Sequence, residues 1–322
     1  MQRTHLLLTG CVHIKPRDQQ IAASLRMVLN LPHVGEHILF LLHRGLQLQS
    51  VSGAGVLDWE PDDAVAAPFS PEAEGIRVRL QEIPGGNEPI RLHLAYSGRI
   101  GVTEWRSNRI TAEWVELGLY SPWFPLMMEG PDPLPLDYDL EVTVEGGYQL
   151  AGAVERTARG WRLVSERTGQ DALLLAAPEF HRLSRTDGNV AVEVQLTRRD
   201  DLAAAGELAQ GAVELLGFYR DWFHDDGGRE VTAVIAPRRI GGGYVRGPLM
   251  VLSVDVLEGM QTRELGIFKW LAHEIAHLWW NRAPSGSWED WLNESIAEYC
   301  ALRAVAAHHS EEGFVKLMSE KR

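Results

Sequence analysis

The residues of this chain with the clearest chemical potential are His273, Glu274 and His277, in the run HEIAHLWW at 273–280. On a helix, His273 and His277 lie one turn apart on one face, so both imidazoles can reach one ion while Glu274 points at a water on that ion. This is the donor pattern of a zinc hydrolase. A third ligand is still needed, and Glu294 offers one from NESIAEYCALRAVAAH, a segment whose composition favours a second helix. The expected cofactor is one zinc per chain, held by His273, His277 and Glu294, with Glu274 as general base. Four residues on and on the same helical face stands Glu298, suited to hold the outer ring nitrogen of a ligand histidine. Tyr299 and Cys300 read as core residues with no catalytic role.

The elements that must position these groups are legible around them. Leu271, Ile275 and Leu278 give the first ligand helix an apolar stripe for burial. Upstream, DDLAAAGELAQGAVELLGFYRDWF at 200–223 predicts a helix of about six turns. EVTAVIAP at 230–237 and PLMVLSVDVL at 248–257 predict strands, separated by a glycine turn at 241–243. Helix, small sheet and two ligand helices make an α+β domain, expected over 197–322. Before it, short alternating segments such as IAASLRMVL, HILFLL, IRVRLQEI, IRLHLAYSG, LEVTVEGG, YQLAGAVE and GWRLVSE predict an all-β sandwich or saddle domain over 1–196. The stretches 60–75 and 130–137 read as surface connections within it. A second histidine pattern, His33, Glu36 and His37, matches an inverted zinc motif, but Pro32, Gly35 and the strand-like run ILFLLH deny it a helix.

Length and composition bound the remaining possibilities. The chain has 322 residues, 45% hydrophobic and 23% charged, enough for two soluble domains with real cores. A formal charge of −13 argues against nucleic acid or anionic lipid as a partner, and the sequence contains no membrane span. Cys11 and Cys300 give no disulfide framework, which fits a reducing, cytoplasmic compartment. The lipoprotein-like LLTGC at 7–11 follows too short an apolar run for a signal segment and reads as chance, or as an edge strand.

HEIAHLWW, with SWEDWLNES at 287–295 and, more loosely, the helix and strands of 199–256, resembles the aminopeptidase N family of gluzincin metallopeptidases. The resemblance implies a β-domain followed by a thermolysin-like zinc domain. It places the zinc ligands on His273, His277 and Glu294, the general base on Glu274, and makes the substrate a peptide or small protein. Three departures stand out. Sixteen residues, 278 to 293, separate the second histidine from the glutamate, fewer than the family's usual spacing. The family's Gly-x-Met-Glu-Asn strand, whose glutamate grips a free amino group, corresponds best to GGGYVRG at 241–247, which holds no acidic residue. The family's transition-state tyrosine lies well past the glutamate ligand, whereas Arg322 is 28 residues beyond Glu294, so the closing helical lobe is expected to be missing.

The residues therefore predict an aminopeptidase-like zinc peptidase, with a peptide lying antiparallel to an edge strand in the 241–253 region and Tyr244 as a candidate oxyanion donor. No strong preference for a free N-terminus is expected. Two other readings remain open: a binding protein on the same fold with an idle zinc, and a zinc hydrolase of esters or epoxides.

Overall fold

The computed structural model describes residues 5–30, 35–63, 67, 69–81, 89–101, 109–152, 154–165, 168–239, 242–262, 264–281, 283 and 288–319. The chain divides into two compact units, 1–178 and 179–322. The first is all β. Its largest sheet orders seven strands as Val154–Arg156, Trp161–Val164, Leu136–Val144, His5–Lys15, Gln20–Asn30, Ile90–Arg99 and Leu46–Gly53. All of its pairings are antiparallel except that of His5–Lys15 with Leu136–Val144. Smaller sheets of four, three and two strands complete the unit.

The period-two alternation decides which side of each strand is buried. Along Gln20–Asn30, residues Ile21, Ala23, Leu25, Met27 and Leu29 enter the core and the intervening positions do not. LLTGC turns out to be central rather than an edge strand, because His5–Lys15 is paired on both sides. Gly10 suits that crowded place: a Cβ there would sit 2.2 Å from the Ser24 carbonyl oxygen. Of the inverted histidine pattern, His37 opens the strand His37–His43, Glu36 precedes it exposed, and His33 lies outside the described residues. Both candidate connections contain strand: Val56–Pro61 and Ala73–Leu80 reach into 60–75, and Asp132–Pro133 lies in 130–137.

The second unit begins with β1 (His181–Asp187) and β2 (Val190–Leu196), followed by α1 (Leu202–Phe223), β3 (Arg229–Ala236), β4 (Gly243–Arg246) and β5 (Leu249–Ser253). Then come α2 (Val254–Gln261), α3 (Leu265–Ala276), α4 (Trp291–His308) and α5 (Glu311–Ser319). The sheet order is β1-β2-β3-β5-β4, so β4 lies at its edge. The division falls earlier than the 196/197 read from sequence because β2 runs parallel to β3, which ties the β1–β2 hairpin into this sheet. The strand predicted over 248–257 stops at Ser253, where the chain turns into α2. Ser253 takes the extended N-cap conformation and Asp255 adds negative charge to the first turn.

This core is where the ligand helices gain their rigidity. On α3, Phe268, Leu271, Ala272, Ile275 and Ala276 are buried, a stripe at helical spacing. Each large apolar side chain in it stabilises the fold by about 1.5–3 kcal/mol. The opposite stripe of Lys269, His273 and His277 is left for chemistry. On α4, the small residues Ala297, Ala301 and Ala304 are buried in the same core, which lets α4 approach α3 closely. Among the described residues, no helix is long and apolar enough to cross a membrane.

Candidate metal centre

His273 lies in the last turn of α3 and His277 caps it, still in right-handed helical conformation, so the one-turn spacing survives at the helix end. Their Nε2 atoms are 3.1 Å apart. From α4, Glu294 brings Oε2 to 3.2 Å from His273 Nε2 and Oε1 to 3.6 Å from His277 Nε2. A tetrahedral ion with donors at about 2.0–2.1 Å requires donor separations of about 3.3–3.4 Å. The three observed separations bracket that value. His273, His277 and Glu294 are also the described residues whose donor atoms converge as a group able to hold a metal.

The hydrogen bonds behind the rings give the same answer. His277 Nδ1 lies 2.9 Å from the Trp280 carbonyl oxygen, and His273 Nδ1 lies 3.3 Å from Glu298 Oε2. His277 Nδ1–H donates outward to the carbonyl, which turns the Nε2 lone pair of that ring inward, while the Glu298 carboxylate faces the outer nitrogen of His273 as a charged partner. Burial, reinforced by the charge of His277, lowers the His273 pKa, with Glu294 and Glu298 opposing; the uncharged, ligating form is favoured.

Glu274 projects beside this group and is only 8% exposed. Burial, together with the Glu294 charge, pushes its carboxyl up to about 7, while the positive charge of Arg246 acts in the other direction. A carboxyl so placed can take and return a proton near neutral pH.

Apart from Glu298, which its spacing from Glu294 marks in the sequence, the groups that position the site carry little sequence signal of their own. Glu298, which faces His273, is anchored through Oε1 to Lys269 Nζ at 2.7 Å. The turn after α3 is fixed from α1's end of the molecule: Trp279 Nε1 donates to Asp225 Oδ2 at 2.9 Å, and the Arg229 guanidinium lies 4.4 Å over the Trp279 ring. Arg229, Trp279 and the Gly227 amide hold the Asp225 carboxyl down to about 2. Asn293, buried at the start of α4, donates to the Ala283 carbonyl at 2.9 Å and accepts from its amide at 3.0 Å, closing the loop between the ligand helices. A polar residue one position before a predicted ligand was the available signal for Asn293; the others are joined only in space.

Tyr244, the candidate oxyanion donor, is buried on β4 with the Arg246 guanidinium 5.1 Å from its ring centre. Cys300 is in the core, where burial pushes its thiol up to about 11, an inert state. Tyr299 is not a core residue: it is 55% exposed, its ring near Trp222, because α4 turns that face outward.

The Glu298 contact makes a checkable prediction. Replacing Glu298 by alanine should free His273 Nδ1 and leave Lys269 without its carboxylate, weakening zinc about 10- to 100-fold while all three ligands remain. Competition against a zinc-binding dye reads this directly; unchanged affinity would remove Glu298 from the site.

Known proteins place this geometry in context. No family model matches the chain. Over 142 residues it is 28% identical to human endoplasmic reticulum aminopeptidase 1, covering 41% of this chain and 15% of that protein. The chain thus spans less than a fifth of that relative's length. Among solved structures, a mutant M1 zinc metallopeptidase from Deinococcus radiodurans, bound to the substrate Tyr-Ser-Ala, superposes with a TM-score of 0.64 at 17% identity. That likeness covers 96% of this chain and 72% of the other. The fold is that of these peptidases, an all-β unit followed by a thermolysin-like α+β unit, and the two findings support the resemblance to the aminopeptidase N family.

Proposed function

We propose that this chain is a zinc-dependent metallopeptidase of the aminopeptidase N kind, with His273, His277 and Glu294 as metal ligands and Glu274 as general base. The observation that carries the reading is the convergence of the three donors at 3.1, 3.2 and 3.6 Å, beside a carboxyl that is buried and not a ligand. Zinc, when bound, supplies a Lewis acid that acidifies a water and polarises a carbonyl.

The chain's own residues do the rest. Glu274 accepts the proton as water attacks the scissile carbonyl, and it returns that proton to the leaving amine, which cannot depart as an anion. Its burial favours both steps, because the protonated and ionised forms are then close in free energy near pH 7. Glu298 and the Trp280 carbonyl keep both imidazoles turned toward the metal throughout. The open edge of β4 offers backbone groups to an extended peptide, which would set its register.

The test is turnover. The zinc-loaded protein should hydrolyse members of a mixed short-peptide pool at neutral pH, lose that activity to a zinc chelator, and regain it on adding zinc. Peptides left intact by fully zinc-loaded protein would overturn the reading in favour of a binding role, and cleavage of esters alone would make it an esterase.

A further inference from the structure

The exit of the ligand helix is shaped to turn one carbonyl back on His277. Beyond Ala276, the last residue of α3, the chain tightens: the amides of His277, Leu278 and Trp279 donate to carbonyls three residues back, on Glu274, Ile275 and Ala276, and the Trp280 amide shares the Ala276 carbonyl. In a continuing α-helix the Trp280 carbonyl would point onward along the axis, while the His277 side chain leans back toward the N-terminus, and the two would not meet. Leaving the helix brings that carbonyl to 2.9 Å from His277 Nδ1. The orientation of His277 therefore depends on the conformation of the turn 277–280.

Trp279, in the middle of that turn, is gripped from outside it. Its Nε1 donates to Asp225 Oδ2 at 2.9 Å, the Arg229 guanidinium lies 4.4 Å over its ring, and Tyr219 and Phe223 of α1 meet it at ring-centre separations of 5.9 and 5.5 Å. Asp225, on the turn between α1 and β3, organises this grip. Its Oδ2 also accepts from Arg229 Nε at 3.1 Å and from Nη2, and its Oδ1 accepts from the Gly227 amide at 3.1 Å. One carboxylate thus fixes both the indole N–H and the cation above the indole. The Asp225 and Arg229 side chains are 24% and 25% exposed, so water competes less with these bonds than it would on an open surface.

We infer that Asp225 is a positioning residue of the metal centre: through Trp279 it holds the helix exit in which the Trp280 carbonyl takes the Nδ1–H of His277, and it thereby sets zinc affinity without touching a ligand. The inference rests on the ligand set proposed above and not on peptide hydrolysis. Asp225 and Trp279 act on His277 alone, whereas Glu298 serves His273. The two imidazoles are therefore oriented by separate devices, one from the turn after α1 and one from α4.

Zinc affinity is measured by competition with a zinc-binding dye on wild type, Asp225→Ala, Trp279→Phe and the double variant. Phenylalanine keeps an aromatic ring against Tyr219 and Phe223 and removes the N–H that Asp225 accepts. Each single replacement should weaken zinc about 10-fold, the lower end of the loss for a ligand's direct hydrogen-bond partner, since Asp225 acts from further out. The double variant should bind zinc no more weakly than either single one, because the two side chains work as a unit. Asp225→Ala and Glu298→Ala, which serve different histidines, should instead multiply their losses. In zinc-loaded protein labelled with ¹⁵N-histidine, the His277 Nδ1 proton should lose its protection from solvent exchange in both single variants while the His273 ring signals stay in place. A general loosening of the fold would move both rings.

Wild-type zinc affinity in a folded Asp225→Ala variant would overturn the inference. So would losses for Asp225→Ala and Trp279→Phe that multiply, or His273 and His277 signals that shift together. If Asp225→Ala fails to fold, Trp279→Phe decides alone: a loss of about 10-fold with only the His277 signal moved upholds the inference, and unchanged affinity overturns it. Zinc that survives His277→Ala would overturn the ligand assignment and this inference with it. Zinc lost in His277→Ala yet indifferent to Asp225 and Trp279 would overturn the inference alone.

Discussion

Replacing His277 by alanine should take the protein from one zinc per chain to essentially none after dialysis. His277 contributes one of the three donors, and its ring is oriented by the 2.9 Å contact of Nδ1 with the Trp280 carbonyl. Its loss leaves His273 and Glu294, which are 3.2 Å apart and can span one edge of a tetrahedron but cannot enclose an ion. Loss of an outer partner costs about 10- to 100-fold in affinity, so loss of a ligand itself should cost more than 100-fold. Elemental analysis of wild type and His277→Ala, dialysed side by side, reads the result. Equal zinc in the two proteins would place the ion elsewhere and sink the ligand assignment. Circular dichroism should show the variant folded, because α3 is held by its buried apolar stripe and not by His277.

The second large effect is expected at Glu274, and it is the opposite in kind. Glu274→Gln should keep its zinc and lose turnover by a factor of about 10² or more, the usual worth of a general base. Glutamine preserves the size of the side chain in a position that is 8% exposed, so packing should survive. It can neither take a proton from water nor give one to the leaving amine. The loss should therefore fall mainly on kcat, since substrate contacts along β4 are untouched. Wild-type rates in Glu274→Gln would exclude it as the base. Loss of zinc along with activity would show instead that Glu274 is a ligand, and the donor set would have to be redrawn.

These two experiments address groups that lie close together in sequence, where local helix geometry alone relates them. His273, Glu274 and His277 span little more than one turn, and helix geometry alone fixes their relative directions. Glu294 and Glu298 obey the same local rule on α4. Only the composition of their segments was needed to expect helices there. The β segments were equally visible from period-two alternation, and the six-turn α1 from its length and pattern.

Where the fold departs from its local patterns, one physical cause is shared. LLTGC looked like an edge strand because a short apolar run carries no record of how many neighbours it will have; pairing on both sides by Gln20–Asn30 and Leu136–Val144 made it central. The strand predicted over 248–257 ends at Ser253 because Val and Leu suit both states, and the turn into α2 depends on the Ser253 backbone leaving the sheet. Residue type alone predicts Tyr299 in the core, whereas the packing of Ala297, Cys300, Ala301 and Ala304 on one side of α4 leaves it outside.

The sequence by itself determined the candidate donors, their order on two helices and the candidate base beside them, because each depends on backbone periods of a few residues. Tertiary structure alone decided that Glu294 reaches both histidines, that Lys269 anchors Glu298, and that Asp225 and Arg229 grip Trp279. Those contacts join residues from different elements. Their distances depend on how α3, α4 and the edge of the sheet pack, a global outcome of burying one shared core that no local spacing encodes.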